Sequence, residues 1–244
     1  MGRVRKNNED NFFFDGKKLP LENEGLCSPL SFLKTTEKPL WLAVFDGMGG
    51  EAFGEEASFI ASCEAERLSS ERFKFPDTLK EFYSSANEKI CDSSIEHQCG
   101  LMGSTAVMLN LKGDKAYFSN IGDSPAYLFR EGRAEALYEE HTDRQLLEST
   151  GSLNRKPRLT QHLGIFPEDL LIEPFMRGIS LKEGDVFLLS SDGLTDMAAF
   201  REIEEVLKEN LTAKETSQKL MKLALDAGGK DNVTIITVKI KEKI

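Results

Sequence analysis

Three aspartates sit where apolar runs stop. In LWLAVFDGMGG (40–50), six apolar residues, Leu40 to Phe45, lead into Asp46-Gly47. In DVFLLSSDGLTD (185–196), Val186 to Leu189 lead toward Asp192-Gly193. In GGKDNVTIITV (228–238), Asp231-Asn232 opens a β-forming run. A single Asp-Gly is most often only a turn. Here Asp46 and Asp192 each follow a buried-type strand and each precede a segment that leads toward a helix. An ionised carboxylate at the tip of a buried strand needs hydrogen bonds or a cation to offset its desolvation. Three such tips converging at one mouth would form an oxygen-rich pocket for a hard divalent ion such as magnesium or manganese. Two further acidic elements accompany them: RKNNED (5–10), with Arg5, Glu9 and Asp10 before an aromatic run, and Asp123 in the Gly-Asp-Ser turn of NIGDSPAYL (120–128). Each alone reads as a solvated charge cluster or a turn.

The elements that must position these groups can be read from periodicity. Strands are predicted at 11–14, 40–45, 105–111, 115–121, 126–130, 171–175, 185–190 and 233–240. Lys112-Gly113-Asp114 and Glu131-Gly132 are tight connections that imply antiparallel hairpins. Helices are predicted from Glu55 to about Ser69, after Pro76-Asp77 with Leu79, Phe82, Ala86 and Ile90 on one face, and from the capping box Thr212-x-x-Glu215. Strands beside strands and helices beside helices indicate an α/β protein of the α+β type, with antiparallel sheets flanked by helices.

Composition narrows the function classes. The 244 residues suit one domain, taken as 1–244, without a linker or repeat. A net charge of -10, from 41 acidic against 31 basic residues, disfavours nucleic acid or a membrane surface as partner and suits a holder of cations. No apolar run reaches the length of a membrane span, and the start carries no signal-peptide pattern. Cys27, Cys63, Cys91 and Cys99 lack metal-binding spacing and read as reduced thiols, which makes the cytoplasm the expected compartment. None of the three histidines has the spacing of a metal pair. His141 and His162 read as structural, and His97 as exposed.

Taken in order, GRVRKNNED (2–10), FDGMGGEAFGEEAS (45–58), GSTA (103–106), NIGDSPAYL (120–128), HTDRQLLESTG (141–151), LTQHLG (159–164), LLSSDGLTD (188–196) and GGKDNVTI (228–235) resemble the metal-dependent protein serine/threonine phosphatases of the PPM (type 2C) family, in its bacterial form. The resemblance implies a four-layer α-β-β-α sandwich of two antiparallel sheets flanked by helices. It implies hydrolysis of phosphoserine and phosphothreonine by a water bridging two manganese or magnesium ions about 4 Å apart, with no phosphoenzyme. It assigns Asp46 to both ions, the Gly47 carbonyl to one, and Asp192 and Asp231 to the other. Glu9 and Asp10 would act through metal-bound waters, and Asn232 would steady the neighbouring backbone. Asp123, with Asp192, matches a weaker third metal site, and Arg5 the phosphate-binding arginine. A phosphoprotein substrate, a cognate Ser/Thr kinase and a monomer are the partner expectations.

The chain also departs from the family. The sequence begins three residues before Val4-Arg5, ahead of which the family has another strand, so either the chain is cut there or its edge is shorter; Met48 and Glu51 stand where histidines are frequent, Pro125 replaces an arginine, and the flap after His141 is short, with Arg155, Lys156 and Arg158. These leave the ligands in place and bear on the general acid and substrate preference. A dinucleotide-binding reading of Gly47-x-Gly49-x-x-Ala52 fails the βαβ requirement, because the helix that follows leads to another helix. An inactive pseudophosphatase and a phosphatase of small esters are the remaining rivals.

Overall fold

The computed structural model describes residues 2–48, 53–69, 73–99, 102–152 and 155–241. Its elements are, in chain order, β1 (Asp10–Phe14), β2 (Leu40–Met48), α1 (Gly54–Glu66), α2 (Asp77–Glu96), β3 (Gly103–Ser104), β4 (Ala106–Lys112), β5 (Lys115–Ile121), β6 (Ala126–Arg130), β7 (Arg133–Ala136), α3 (Arg144–Thr150), β8 (Phe175–Ser180), β9 (Val186–Ser190), α4 (Asp192–Thr195), α5 (Phe200–Lys208), α6 (Ala213–Asp226) and β10 (Ile235–Lys239). They form two antiparallel sheets. One has the order β1-β2-β4-β5-β8, with β3 on the end of β2, and the other β10-β9-β6-β7.

The apolar runs are continuous because both faces of their strands are buried. Along β2, Trp41, Ala43 and Phe45 face α1 and α2 with Ala57, Ala61, Phe82 and Ala86. The alternate residues Leu42 and Val44 face the other sheet, where they join Leu128, Phe187 and Leu189. Along β9 the same alternation turns Val186 and Leu188 outward onto Ile203 and Leu207 of α5 and Leu220 and Ala224 of α6. A period of two on each central strand therefore builds three apolar layers between four structural ones. This is the four-layer α-β-β-α sandwich expected of the sequence.

β3 and β7 are strands that the sequence did not announce, and two expected strands change. The run 171–175 is not a strand, and β8 begins at Phe175, just after Pro174. β8 pairs only with β5, and Arg177, Gly178 and Ser180 are exposed, so it lacks apolar alternation. β2 continues through Asp46-Gly47 to Met48, because Gly47 and Met48 pair with β3. Asp46 is therefore inside the paired strand and not beyond its tip. The helix expected up to Ser69 ends at Glu66 and finishes as a 3₁₀ turn over Arg67–Ser69. The Thr212–Glu215 capping box forms as expected.

Candidate metal centre

Asp10 and Asp46 are register partners across β1 and β2. Asp192 follows β9 as the first residue of α4, and its backbone N–H lies 3.4 Å from Asp46 Oδ2. Asp231 is joined to the N-terminal segment, where Arg5 donates to its Oδ2 at 2.7 Å. The sandwich thus gathers carboxylates from sequence positions more than two hundred residues apart.

The glycines after the aspartates serve close backbone packing. A Cβ on Gly47 would meet the Gly54 carbonyl oxygen at 2.0 Å and that of Glu9 at 2.5 Å, and a Cβ on Gly193 would meet the Asn232 carbonyl oxygen at 1.9 Å. Only glycine allows β2 to lie against Glu9 and α1, and α4 against the Asp231 turn.

The GSTA segment fixes the backbone of Asp46. Thr105 N–H donates to the Asp46 carbonyl at 2.9 Å, Asp46 N–H donates to Thr105 Oγ1 at 3.2 Å, and Ser104 Oγ donates to the same carbonyl at 3.2 Å. Thr105 Oγ1 also hydrogen-bonds Ser124 Oγ at 2.6 Å, which ties Asp46 to the turn holding Asp123. His141 supports that turn from the other side, its Nδ1 accepting from Gly122 N–H at 3.1 Å.

Asp10 is fully inside: its Oδ2 accepts from Ser191 Oγ and Thr234 Oγ1, both at 2.7 Å. Asn232 accepts from Glu9 N–H at 2.8 Å and donates to the Asn7 carbonyl at 3.0 Å, bracing the N-terminal motif.

Burial pushes the Asp10 carboxyl up to about 7, against the two hydroxyl donors and with the charges of Asp192 and Asp231. Asp46 is driven well above the ordinary carboxylate range, first by burial and then by Asp192, Asp10 and Asp123. Asp123 rises to about 7 by burial and the charge of Asp192, and Glu9 rises mainly by burial. Glu55, not singled out in the sequence, adds to the crowding. It raises Glu9 further, and its buried Oε2 has no hydrogen-bond partner. Mutual repulsion of desolvated carboxylates with an orphaned oxygen among them is what a divalent cation relieves, so the donor set fits hard metal ions.

Two cations of the chain already answer part of that charge. Arg5, half exposed, pairs with Asp231. Lys156 Nζ lies 2.7 Å from both Asp192 Oδ2 and Asp196 Oδ2, tying its segment to α4 and the residue after it. Among the described residues, no three His, Cys, Asp or Glu side chains converge on one cation position.

Met48 closes β2, and Glu51 with Gly49, Gly50 and Ala52 lies outside the described residues. His162 is buried, while His97 is exposed yet stacks on Phe53 at 4.3 Å and pairs with Glu56. Among the described residues α2 follows α1 with no strand between them, whereas a βαβ dinucleotide fold would require one.

The family model for protein phosphatase 2C matches residues 5–150. The serine/threonine phosphatase stp of Listeria monocytogenes serotype 4b (strain F2365) is 29% identical over 97% of this chain and 92% of its own. Among solved structures, the serine/threonine phosphatase PstP/Ppp of Mycobacterium tuberculosis superposes with a TM-score of 0.79 at 27% identity, covering 99% of this chain and 95% of that one. The catalytic domain of PstP, in complex with two manganese ions, matches with a TM-score of 0.76 at 27% identity, over 99% and 95% of the two chains.

Proposed function

The chain belongs to the protein phosphatase 2C family, and from that premise we propose how its own residues carry out the hydrolysis. It is a metal-dependent protein serine/threonine phosphatase acting on phosphoproteins, an enzyme and not an inactive relative. The single observation that carries the site assignment is the convergence on Asp46 of Asp10, its register partner across β1, and Asp192, whose N–H lies 3.4 Å from Asp46 Oδ2. Asp46, the Gly47 carbonyl, Asp192 and Asp231 would hold two divalent ions, and Asp123 with Asp192 a weaker third. The ions would be manganese or magnesium.

Bound there, the ions would lower the pKa of water and offset charge on the transferring phosphoryl group. The rest falls to the chain. Arg5 gives one N–H to Asp231, and a guanidinium has five, enough for a bidentate hold on phosphate oxygens. Asp10, fixed by Ser191 and Thr234, and Glu9, braced by Asn232, would orient water. Met48 has no proton to give a departing serine oxygen, so the acid must come from solvent bound at the site.

Four free cysteines argue for a reducing compartment, which we take to be the cytoplasm. No helix among the described residues is long and apolar enough to cross a membrane. A cognate Ser/Thr kinase, with a phosphoprotein shared between the two, completes the proposed setting, and the enzyme acts as a monomer.

The test is phosphate release from a phosphothreonine peptide with manganese, after chelation and after readdition. Activity should vanish and return. Full activity in excess chelator would overturn the reading.

A further inference from the structure

Behind the first sheet, α2 and the segment 166–174 enclose a cleft of about 700 Å³. None of its lining residues belongs to the candidate metal centre. Three large apolar side chains are left open beside one another: Ile95 (62% exposed), Leu170 (45%) and Leu171 (71%). Such residues scattered singly need no explanation, but a group lining one cleft marks an interaction surface. Around them stand Glu88, Asp92 and Glu168, all exposed, against a single lysine, Lys80. The ion pairs that α2 makes use Lys89 and the His97 that caps it, both directed to α1, and none of these three carboxylates is paired among the described residues.

We propose that this cleft docks a basic amphipathic segment of another protein, its apolar side chains seated on Ile95, Leu170 and Leu171 and its lysines or arginines facing the carboxylate rim. Charge decides the occupant. Nucleic acid and anionic lipid would meet uncompensated negative charge, and a second copy of this chain brings its own net charge of -10. The cleft is also joined to the metal centre. Asn87, on its floor, bonds the Gly164 and Ile165 N–H groups and the Ile165 carbonyl. Leu163 pairs with Ser104, and Ser104 holds the Asp46 carbonyl. A segment docked here would bear on the strand that carries Asp46.

The probe is a fluorescent synthetic peptide with leucines on one helical face and lysines on the other, titrated into the intact protein, with a Glu-for-Lys counterpart as control. Two cleft variants are compared, Leu170→Ser/Leu171→Ser and Glu88→Lys/Asp92→Lys/Glu168→Lys. A distal triple, Glu22→Lys/Glu37→Lys/Asp114→Lys, makes the same charge change elsewhere on the exposed surface. All replaced side chains are exposed, and thermal melts check folding. Saturable binding of the cationic peptide should weaken about tenfold or more in both cleft variants and much less in the distal triple. Equal weakening by the two triples would reduce the effect to net charge and overturn the proposal. So would absence of saturable binding, or a dimer of the unmodified protein that Leu170→Ser/Leu171→Ser abolishes.

Discussion

Lys156 is the flap residue whose removal should be read directly at the metals. Its ammonium lies 2.7 Å from Asp192 and from Asp196 and is 56% exposed. Partial burial works against the charge, but Asp192 and Asp196 still hold the Lys156 pKa above the ordinary lysine value. For an ion to take Asp192 Oδ2, this pairing must be given up. Solvent screening limits an exposed pair to about 0.2–1 kcal/mol, so the Lys156–Asp192 pair opposes loading by at most about 1 kcal/mol. At 1.4 kcal/mol per tenfold, that is at most about a fivefold effect. Lys156→Met keeps the aliphatic stem and removes the charge, and should tighten manganese binding by up to that factor. The gap should narrow at high salt, as a screened interaction must. Calorimetric titration of both proteins at two salt concentrations measures it. Unchanged or weaker affinity in Lys156→Met would refute the idea that the flap lysine and the metal compete for Asp192.

Two further outcomes follow from the same geometry. Arg5→Ala should leave metal binding in place while lowering kcat/KM by about 10²-fold, because a charge-assisted bidentate contact contributes in the transition state as well as the ground state; unchanged kinetics would remove the N-terminal motif from the site. His162 and His141 are both depressed by burial, so the unfolded chain takes up their protons first as pH falls. Stability is therefore present above the ordinary histidine value, near 6.5, and lost below it, by no more than about 1.4 kcal/mol per pH unit for each histidine. Denaturant unfolding from pH 7.5 to 5.5 should show this slope, and His162→Gln should flatten it; an unaltered slope in that variant would contradict the sign.

What the sequence made legible, and what it hid, follows from the range of the interactions. Leu40 to Phe45 and Val186 to Leu189 announced themselves because strands buried on both faces leave unbroken apolar runs. Asp46 and Asp192 stood out because they interrupt those runs, and the ordered motifs supplied the family. β8 was misplaced because an edge strand with Arg177 and Gly178 facing solvent has no alternation to detect. β7, with Glu135 and Ala136 exposed, failed for the same reason. Glu55 was hidden because its position fits a helix start equally well. The bond of Lys156 to Asp192 spans 36 residues with no periodicity to betray it. The reason for Gly47 also needed three dimensions, since Glu9 and Gly54 come against it only once the sheet has formed.

The most direct test of the central claim counts ions and turnover together. Equilibrium dialysis against manganese, with metal per chain measured beside phosphopeptide hydrolysis, should find two tightly held ions in the unmodified protein. Asp46→Asn, which keeps the shape and removes the charge, should lose tight binding of both ions and nearly all hydrolysis. Asp123→Asn should keep both ions and turn over more slowly. Two ions retained in Asp46→Asn, or undiminished hydrolysis by it, would contradict the assignment of that carboxylate to both metals.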